Sequence, residues 1–128
     1  MKKEIRPENI AAPAANYAHA ILTTKETRWL HTSGVVPIAQ DGSTPANFDT
    51  QLTVIWQNIS AMLKSASMKP TDIVSVTTYV LPDQNLATLM KHRDTALDKH
   101  KAASTLVIVA SLAKPEWLVE ISVVAASK

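Results

Sequence analysis

The chain contains no cysteine, which excludes disulfide bonds, thiol nucleophiles and thiolate metal sites and agrees with a reducing compartment. Glycine is nearly as scarce, with Gly34 and Gly42 alone, so neither a phosphate-cradling loop nor a dinucleotide fingerprint can be built. Aromatic residues make up 5% of the chain, and its 13 basic and 11 acidic side chains are scattered, with no cluster beyond short pairs such as Lys2-Lys3. A nucleic-acid footprint needs a basic stripe with interleaved aromatics, so no nucleic-acid partner is expected. No apolar run approaches the roughly 18 residues of a membrane span. The N-terminal Met1-Lys2-Lys3-Glu4-Ile5-Arg6-Pro7 has no apolar stretch behind its charges. The reading is a cytoplasmic protein without a membrane partner.

What is present is a globular composition, 46% hydrophobic and 19% charged over 128 residues. A chain of this length is one domain, residues 1–128, able to bury roughly two-thirds of its extended surface. A first strand is expected around Lys3 to Arg6, followed by an extended loop carrying Pro7 and Pro13. Tyr17 to Thr23 and Arg28 to Ile38 read as two strands of a hairpin parted by Thr24-Lys25-Glu26-Thr27. Gly34 interrupts the second, as glycine does at a bulge or a close backbone approach.

From Ala46 to Ser65 the residues Phe48, Leu52, Ile55, Trp56, Ile59, Met62 and Leu63 recur at helical spacing, with Thr44-Pro45 as the expected cap and first helical residue. The β-branched stretch Asp72 to Leu81 predicts a strand, with Val74, Val76 and Val80 on one face and Ile73, Tyr79 and Leu81 on the other. A second helix is expected over Asn85 to His100, with Leu86, Leu89, Met90 and Leu97 inward. Strands at Thr105 to Leu112 and Glu116 to Ala125, parted by Lys114-Pro115, complete the chain. The order gives an α+β fold, two β-α-β halves sharing one mixed sheet with both helices on one face. Leu106 to Leu112 is apolar on both sides, and one chain has helices for one face only. The other face is therefore expected to be buried against further copies of the chain.

Among groups that could carry chemistry, Glu120 stands out. In Trp117-Leu118-Val119-Glu120-Ile121-Ser122-Val123-Val124 it is a carboxylate inside an apolar strand, where burial would favour its protonated form and suit proton transfer. Its bland reading is an edge carboxylate that sees solvent. Tyr17 offers a phenol, although tyrosines at strand starts mostly cover core. His19, His31, His92 and His100 show no metal spacing, and no metal or cofactor is expected. Ser33 beside Gly34 lacks a nucleophile elbow.

Several segments together resemble one family. Asn16-Tyr17-Ala18-His19-Ala20-Ile21 is similar to the P-Y-S-Q-A segment of the Rid/YjgF family, also called endoribonuclease L-PSP-like. Leu30-His31-Thr32-Ser33-Gly34-Val35-Val36-Pro37 is similar to its V-S-G-Q-x-P strand, and Asp72 to Val80 to its D-V-V-K-x-T-V-Y-L stretch. Ala103-Ser104-Thr105-Leu106-Val107, with Val119-Glu120-Ile121, is similar to P-x-R-x-x-V followed by V-E-I. The resemblance runs in order over about Ala14 to Ala125.

It implies a chorismate-mutase-like fold assembled as a homotrimer, with small-molecule clefts at the subunit interfaces. It also implies hydrolysis of reactive imines and enamines to keto acid and ammonia without metal or cofactor. By the same resemblance Glu120 and Tyr17 take the catalytic positions and Gly34 lines the cleft. The family's arginine, which holds the substrate carboxylate, falls on Ser104, and its asparagine in the second helix on Met90. Serine cannot replace a bidentate guanidinium. The expectation is therefore a deaminase-type hydrolase acting on something other than 2-aminoacrylate, a more neutral or apolar ligand bound by Ser104, Thr105, Leu106 and Met90. Arg28, Arg93 and Lys101 are the cations that could reach the cleft from elsewhere. The alternative class is a non-catalytic metabolite-binding or regulatory module.

Overall fold

The computed structural model describes residues 1–128. Six strands and two helices follow one another as β1 (Lys2–Ile5), β2 (Ala20–Thr23), β3 (Arg28–His31), α1 (Phe48–Ser65), β4 (Ile73–Val80), α2 (Leu86–Ala96), β5 (Ala103–Ile108) and β6 (Val119–Ser127), with a single 3-10 turn at Pro70–Asp72 before β4. The main sheet has the order β3-β6-β4-β5. β6 runs antiparallel to both neighbours, while β4 and β5 are parallel and joined through α2. The α+β class, the mixed sheet and the helix count match the expectation.

The strand pairing does not match throughout. β2 does not form a hairpin with β3: it pairs antiparallel with β1, from Lys2↔Thr23 to Ile5↔Ala20, in a separate two-stranded ladder. β3 instead pairs with the end of β6, Arg28↔Ser127 to His31↔Val124. Lys25, at φ 61°, turns the chain between the two ladders, and the long apolar β6 outcompetes the short local partner. A parallel bridge, Ala18↔Ala103, ties the segment before β2 to β5, and Lys2 Nζ of β1 donates to the Ala126 carbonyl of β6 at 2.8 Å.

α1 forms where its stripe predicts, burying Leu52, Ile55, Trp56, Ile59 and Leu63, but it starts three residues beyond the expected Thr44 cap. Asn47 is the cap, its side-chain oxygen accepting from the Thr50 N–H at 3.1 Å, as a capping asparagine does. At the other end the Arg28 guanidinium donates to the Ala66 carbonyl, a cation at the negative pole of the helix dipole. α2 stops at Ala96, four residues short of the expectation, because Asp98 and Lys99 adopt left-handed conformations at φ 52° and 61°. Leu97 still reaches the core.

Both helices cover one face, packing on Val76, Val80, Val119, Ile121, Val123 and Ala125. β4 carries a bulge, Ile73 pairing with Ala125 and Ser75 with Val124, so Val74 is the extra residue. The bulge puts Ile73 and Val76 in the same core, correcting the alternation that set them on opposite faces. The opposite sheet face has no helix, and at the β5 edge Val107 and Ile108 are 40% and 56% exposed in the single chain.

Gln51, absent from the apolar stripe, is fully buried on α1. Its amide donates to the carbonyls of Pro45 and Glu116, both at 2.8 Å, and its oxygen accepts from the Leu118 N–H at 2.9 Å. One side chain thus fastens the loop entering α1 to the entry of β6. Leucine there would fill a similar space and leave three backbone groups unpaired. Gln51→Leu is expected to cost about 2–3 kcal/mol in urea unfolding with an unchanged m-value.

Candidate functional site

β6 alternates from Val119 to Ala125: Val119, Ile121 and Val123 are buried under the helices, so Glu120 and Ser122 project from the helix-free face. Glu120 is half-buried there and takes part in no ion pair of the chain. Its direct ladder partner on β4 is Tyr79, which in turn sits beside Val107 of β5. On its other flank lies Gly34. A Cβ built on Gly34 would stand 2.0 Å from Glu120 Oε2 and 2.6 Å from its carboxyl carbon. The glycine is needed for this close approach and not for its backbone angle, which is not left-handed.

The ladder explains how Gly34 comes to lie there. His31 pairs with Val124 and Val35 with Ile121, so four steps along the β3 side span three along β6. The extra residue is a bulge, held on either side by Thr32, whose N–H donates to the Val123 carbonyl and whose Oγ1 accepts from the Val123 N–H, and by the paired backbones of Val35 and Ile121. Within it the N–H groups of Ser33 and Gly34 have no partner in the chain. The expectation of a bulge or close approach at Gly34 describes both features. The bulge opens onto a shallow groove of about 410 Å³ between it and Asn58 and Met62 of α1.

A second group of residues gathers at the start of β5. Ala18 donates to the Ala102 carbonyl at 3.0 Å, which lays the Asn16-Tyr17-Ala18 segment beside β5. Tyr17 is half-buried, its phenol oxygen accepting from the Ala14 N–H at 3.4 Å and its ring edge-on to His19. Ser104 pairs in register with Val76 and Leu106 with Thr78, so both face the helices, and Leu106 packs on the core. Thr105 pairs with Thr77 and Ser122 in the row next to Glu120 and is exposed. The Ser104 hydroxyl meets Arg93 of α2, whose Nη1 lies 3.5 Å away. Of the three cations named from the sequence, Arg28 is spent on α1, Lys101 lines a pocket with Glu4, Arg6 and His19, and Arg93 reaches Ser104. Met90 is half-buried on α2, one turn before Arg93.

The residues named from sequence thus fall into two groups. Glu120, Gly34 and Thr105 belong to the open face; Ser104, Leu106 and the Tyr17 segment belong to the β5 start, with Ser104 and Leu106 turned to the helix side. One chain does not bring Glu120 and Ser104 together. A larger groove of about 520 Å³ runs between α1 and α2, with Trp56, Ile59 and Ile73 in its wall and an Asp49–His92 pair at 2.8 Å across it. It holds none of these residues. No three His, Asp or Glu side chains cluster as a metal site would require, and no helix is long and apolar enough to cross a membrane.

Two placements were not legible in the sequence. Arg93 was named only as one of three cations, and its burial in the inward stripe Leu86, Leu89, Arg93, Leu97 is what the fold adds. Tyr79 was placed on the outward face of β4, but its pairing with Glu120 depends on a register no single strand reveals.

The mixed sheet backed by two helices is the architecture of one class of small α+β proteins. The family described as Endoribonuclease L-PSP matches residues 8–127, and the chain belongs to it, the Rid/YjgF family that its motifs resemble. YyfB of Yersinia pestis, a protein of the conserved Rid family, superposes with a TM-score of 0.85 at 27% identity over 98% of each chain. RidA of the Antarctic bacterium Psychrobacter sp. superposes at 0.73 and 22% identity, over 97% of this chain and 98% of its own. Escherichia coli TdcF, solved with bound serine, superposes at 0.72 and 23% identity, over 98% and 99%. No curated protein sequence matches the chain.

The Gly34–Glu120 contact is testable as a coupling. Gly34→Ala should destabilise the native protein by about 1–3 kcal/mol because the carboxylate must swing aside. In a Glu120→Ala background the obstructing atoms are gone and the same change should cost little. A double-mutant cycle by denaturant unfolding should return a coupling of at least about 1 kcal/mol.

Proposed function

We propose that the protein binds a small metabolite in a cleft completed by a second copy of the chain in a homotrimer, and hydrolyses an imine or enamine other than 2-aminoacrylate. The observation that carries this reading is Glu120: a carboxylate with no ion pair inside the chain, lying in the space left by the missing side chain of Gly34, in the same bulge as two backbone N–H groups without a partner in the chain. The helix-free face is where a neighbouring copy would bring its own β5 start, with Ser104, Thr105, Leu106, Met90 and Tyr17 as ligand contacts. TdcF, of the same fold, holds serine, a molecule of the size such a cleft would accept.

In this mechanism Glu120 takes a proton from a water molecule as its oxygen adds to the carbon of the C=N bond. The proton passes to the nitrogen, giving a carbinolamine; Glu120 then takes the proton of its hydroxyl and returns it to the amine, the C–N bond breaks, and ammonia and a carbonyl compound leave. The free N–H groups at Ser33 and Gly34 suit an oxygen that gains negative charge in the adduct. Tyr17 closes the ligand's side of the cleft. No metal or cofactor is needed for these steps.

The test is ammonia release from imines generated in situ by an amino-acid oxidase, with 2-aminoacrylate as a comparison. Glu120→Gln keeps the shape and removes the base, so turnover should fall by about 10²–10⁴-fold while ligand affinity changes little. Equal turnover in wild type and variant would overturn the role of Glu120, and binding without any conversion would favour the non-catalytic module. Light scattering at micromolar concentration should give three times the chain mass; a monomer would remove the shared cleft.

A further inference from the structure

The groove between α1 and α2 lies apart from Glu120 and from the start of β5. Its volume of about 520 Å³ falls within the roughly 300–1,000 Å³ of small-molecule sites. α1 turns one face to it, Asp49, Thr53, Trp56, Ser60 and Leu63 following at spacings of three and four, and α2 adds Thr88, His92 and Thr95 in the same rhythm. Trp56, Ile59, Leu63 and Ile73, each 8% exposed or less, make an apolar floor. Thr53, Gln57, Ser60 and Thr95 stand exposed along the rims. Most of the seam is therefore lined by short side chains, which leave space between the helices that a close-packed interior would fill.

The charges of the groove are already accounted for. His92 Nε2 and Asp49 Oδ1 satisfy one another at 2.8 Å, and Lys91 is exposed to water. No buried charge waits for a counter-ion, so nothing here selects an ion. One hydrogen-bonding group does lack a partner. Trp56 Nε1–H has no acceptor and is closed off from water. A buried indole N–H usually finds an acceptor, and an orphaned one bears the full desolvation penalty of the group. Phenylalanine would fill the helix seam without that penalty. Trp117 is the other indole without an acceptor, but it stands at the entry of β6 and does not line the groove. A small turn of the Trp56 ring toward the groove breaks no hydrogen bond, because its N–H makes none.

We infer that the groove between α1 and α2 is a binding site of its own, for an uncharged, flat ring compound that carries a carbonyl or ring-nitrogen acceptor. The ring lies in the slot against Ile59, Leu63 and Ile73, and its acceptor takes the Trp56 N–H. The hydroxyls of Thr53, Ser60, Thr88 and Thr95, which both donate and accept, serve polar groups at the edge of the ring. The Asp49–His92 pair bounds the end of the site nearest the start of α1. None of Glu120, Gly34, Ser104 or Met90 lines this groove. The site is complete within one chain, so it does not depend on the cleft between copies or on the chemistry proposed there.

The experiment is an NMR titration of the full chain, labelled with nitrogen-15, with two probes that share a ring and differ in charge, benzamide and benzoate. Trp29, Trp56 and Trp117 are the three tryptophans of the chain, and each gives its own indole N–H signal. Benzamide should shift the Trp56 signal saturably and leave that of Trp117 in place, and benzoate should bind at least about fivefold more weakly. Trp56→Phe, followed through the backbone amides of α1 and α2, should weaken benzamide by about fivefold or more, the loss of one hydrogen bond. Thr95→Trp, at an exposed position, should fill the groove and abolish binding. A titration that leaves the Trp56 signal unmoved overturns the inference, and so does benzamide binding that survives Thr95→Trp. Equal affinity for benzoate overturns the uncharged class, and an unchanged affinity in Trp56→Phe overturns the role of the indole. Should Trp56→Phe not fold, the wild-type Trp56 signal and the Thr95→Trp variant decide between them.

Discussion

The contact between Glu120 and Gly34 is the constraint around which this sheet is organised. A carboxyl oxygen occupies the place where any other residue would carry its Cβ. A side chain at position 34 would push that carboxyl aside, so its observed placement depends on the glycine and on the one-residue bulge of the β3 side that brings it there. Glu120 in turn can stand on that face only because Val119 and Ile121, on either side of it, are locked under the helices. The carboxylate is set by backbone and core, the rigid parts of the molecule, and not by a loop. No cation of the chain is paired with it.

The same alternation that aims Glu120 outward turns Ser104 inward, toward α2. Chemistry that needs both must draw them from different chains, and the helix-free face with its apolar β5 edge supplies a reason for chains to meet. The polar groups at the two places differ in kind. Around Glu120 the free groups are backbone amides, fixed in direction; around Ser104 the dominant group is a guanidinium with slack contacts.

Much of this was legible from the residues. The helical stripe of α1, the β-branched run of β4 and the apolar alternation around Glu120 are local patterns, and they emerge as expected because local geometry dictates them. Gly34 was legible too, since a chain with two glycines places one inside a strand only for a backbone reason. What was hidden is long-range. β2 and β3 look like a hairpin because a short polar turn separates them, yet the C-terminal strand wins β3. Thr44 and Asn47 both satisfy the chemistry of a helix cap, and the tertiary fit of Gln51 to Pro45, Glu116 and Leu118 belongs to the one that is used. Ile73 changed faces because a bulge adds a residue that no periodicity shows. Arg93 was visible only as one of three cations, and its meeting with Ser104 needs the β4-α2-β5 crossover to be closed first.

The placement of β6 has a temporal consequence. The strand made last is the one hydrogen-bonded on both sides, wedged between β3 and β4, and it also carries Glu120. While the polypeptide is being synthesised, β3 and β4 emerge without the neighbour that joins them, and within the main sheet only the parallel pair β4 and β5 can close in its absence. The finished sheet, and the acid at its centre, must therefore form in a late step that requires sequence-distant pairing, which is slow for a chain of this size. During that interval two unpartnered strand edges are open to association with other chains.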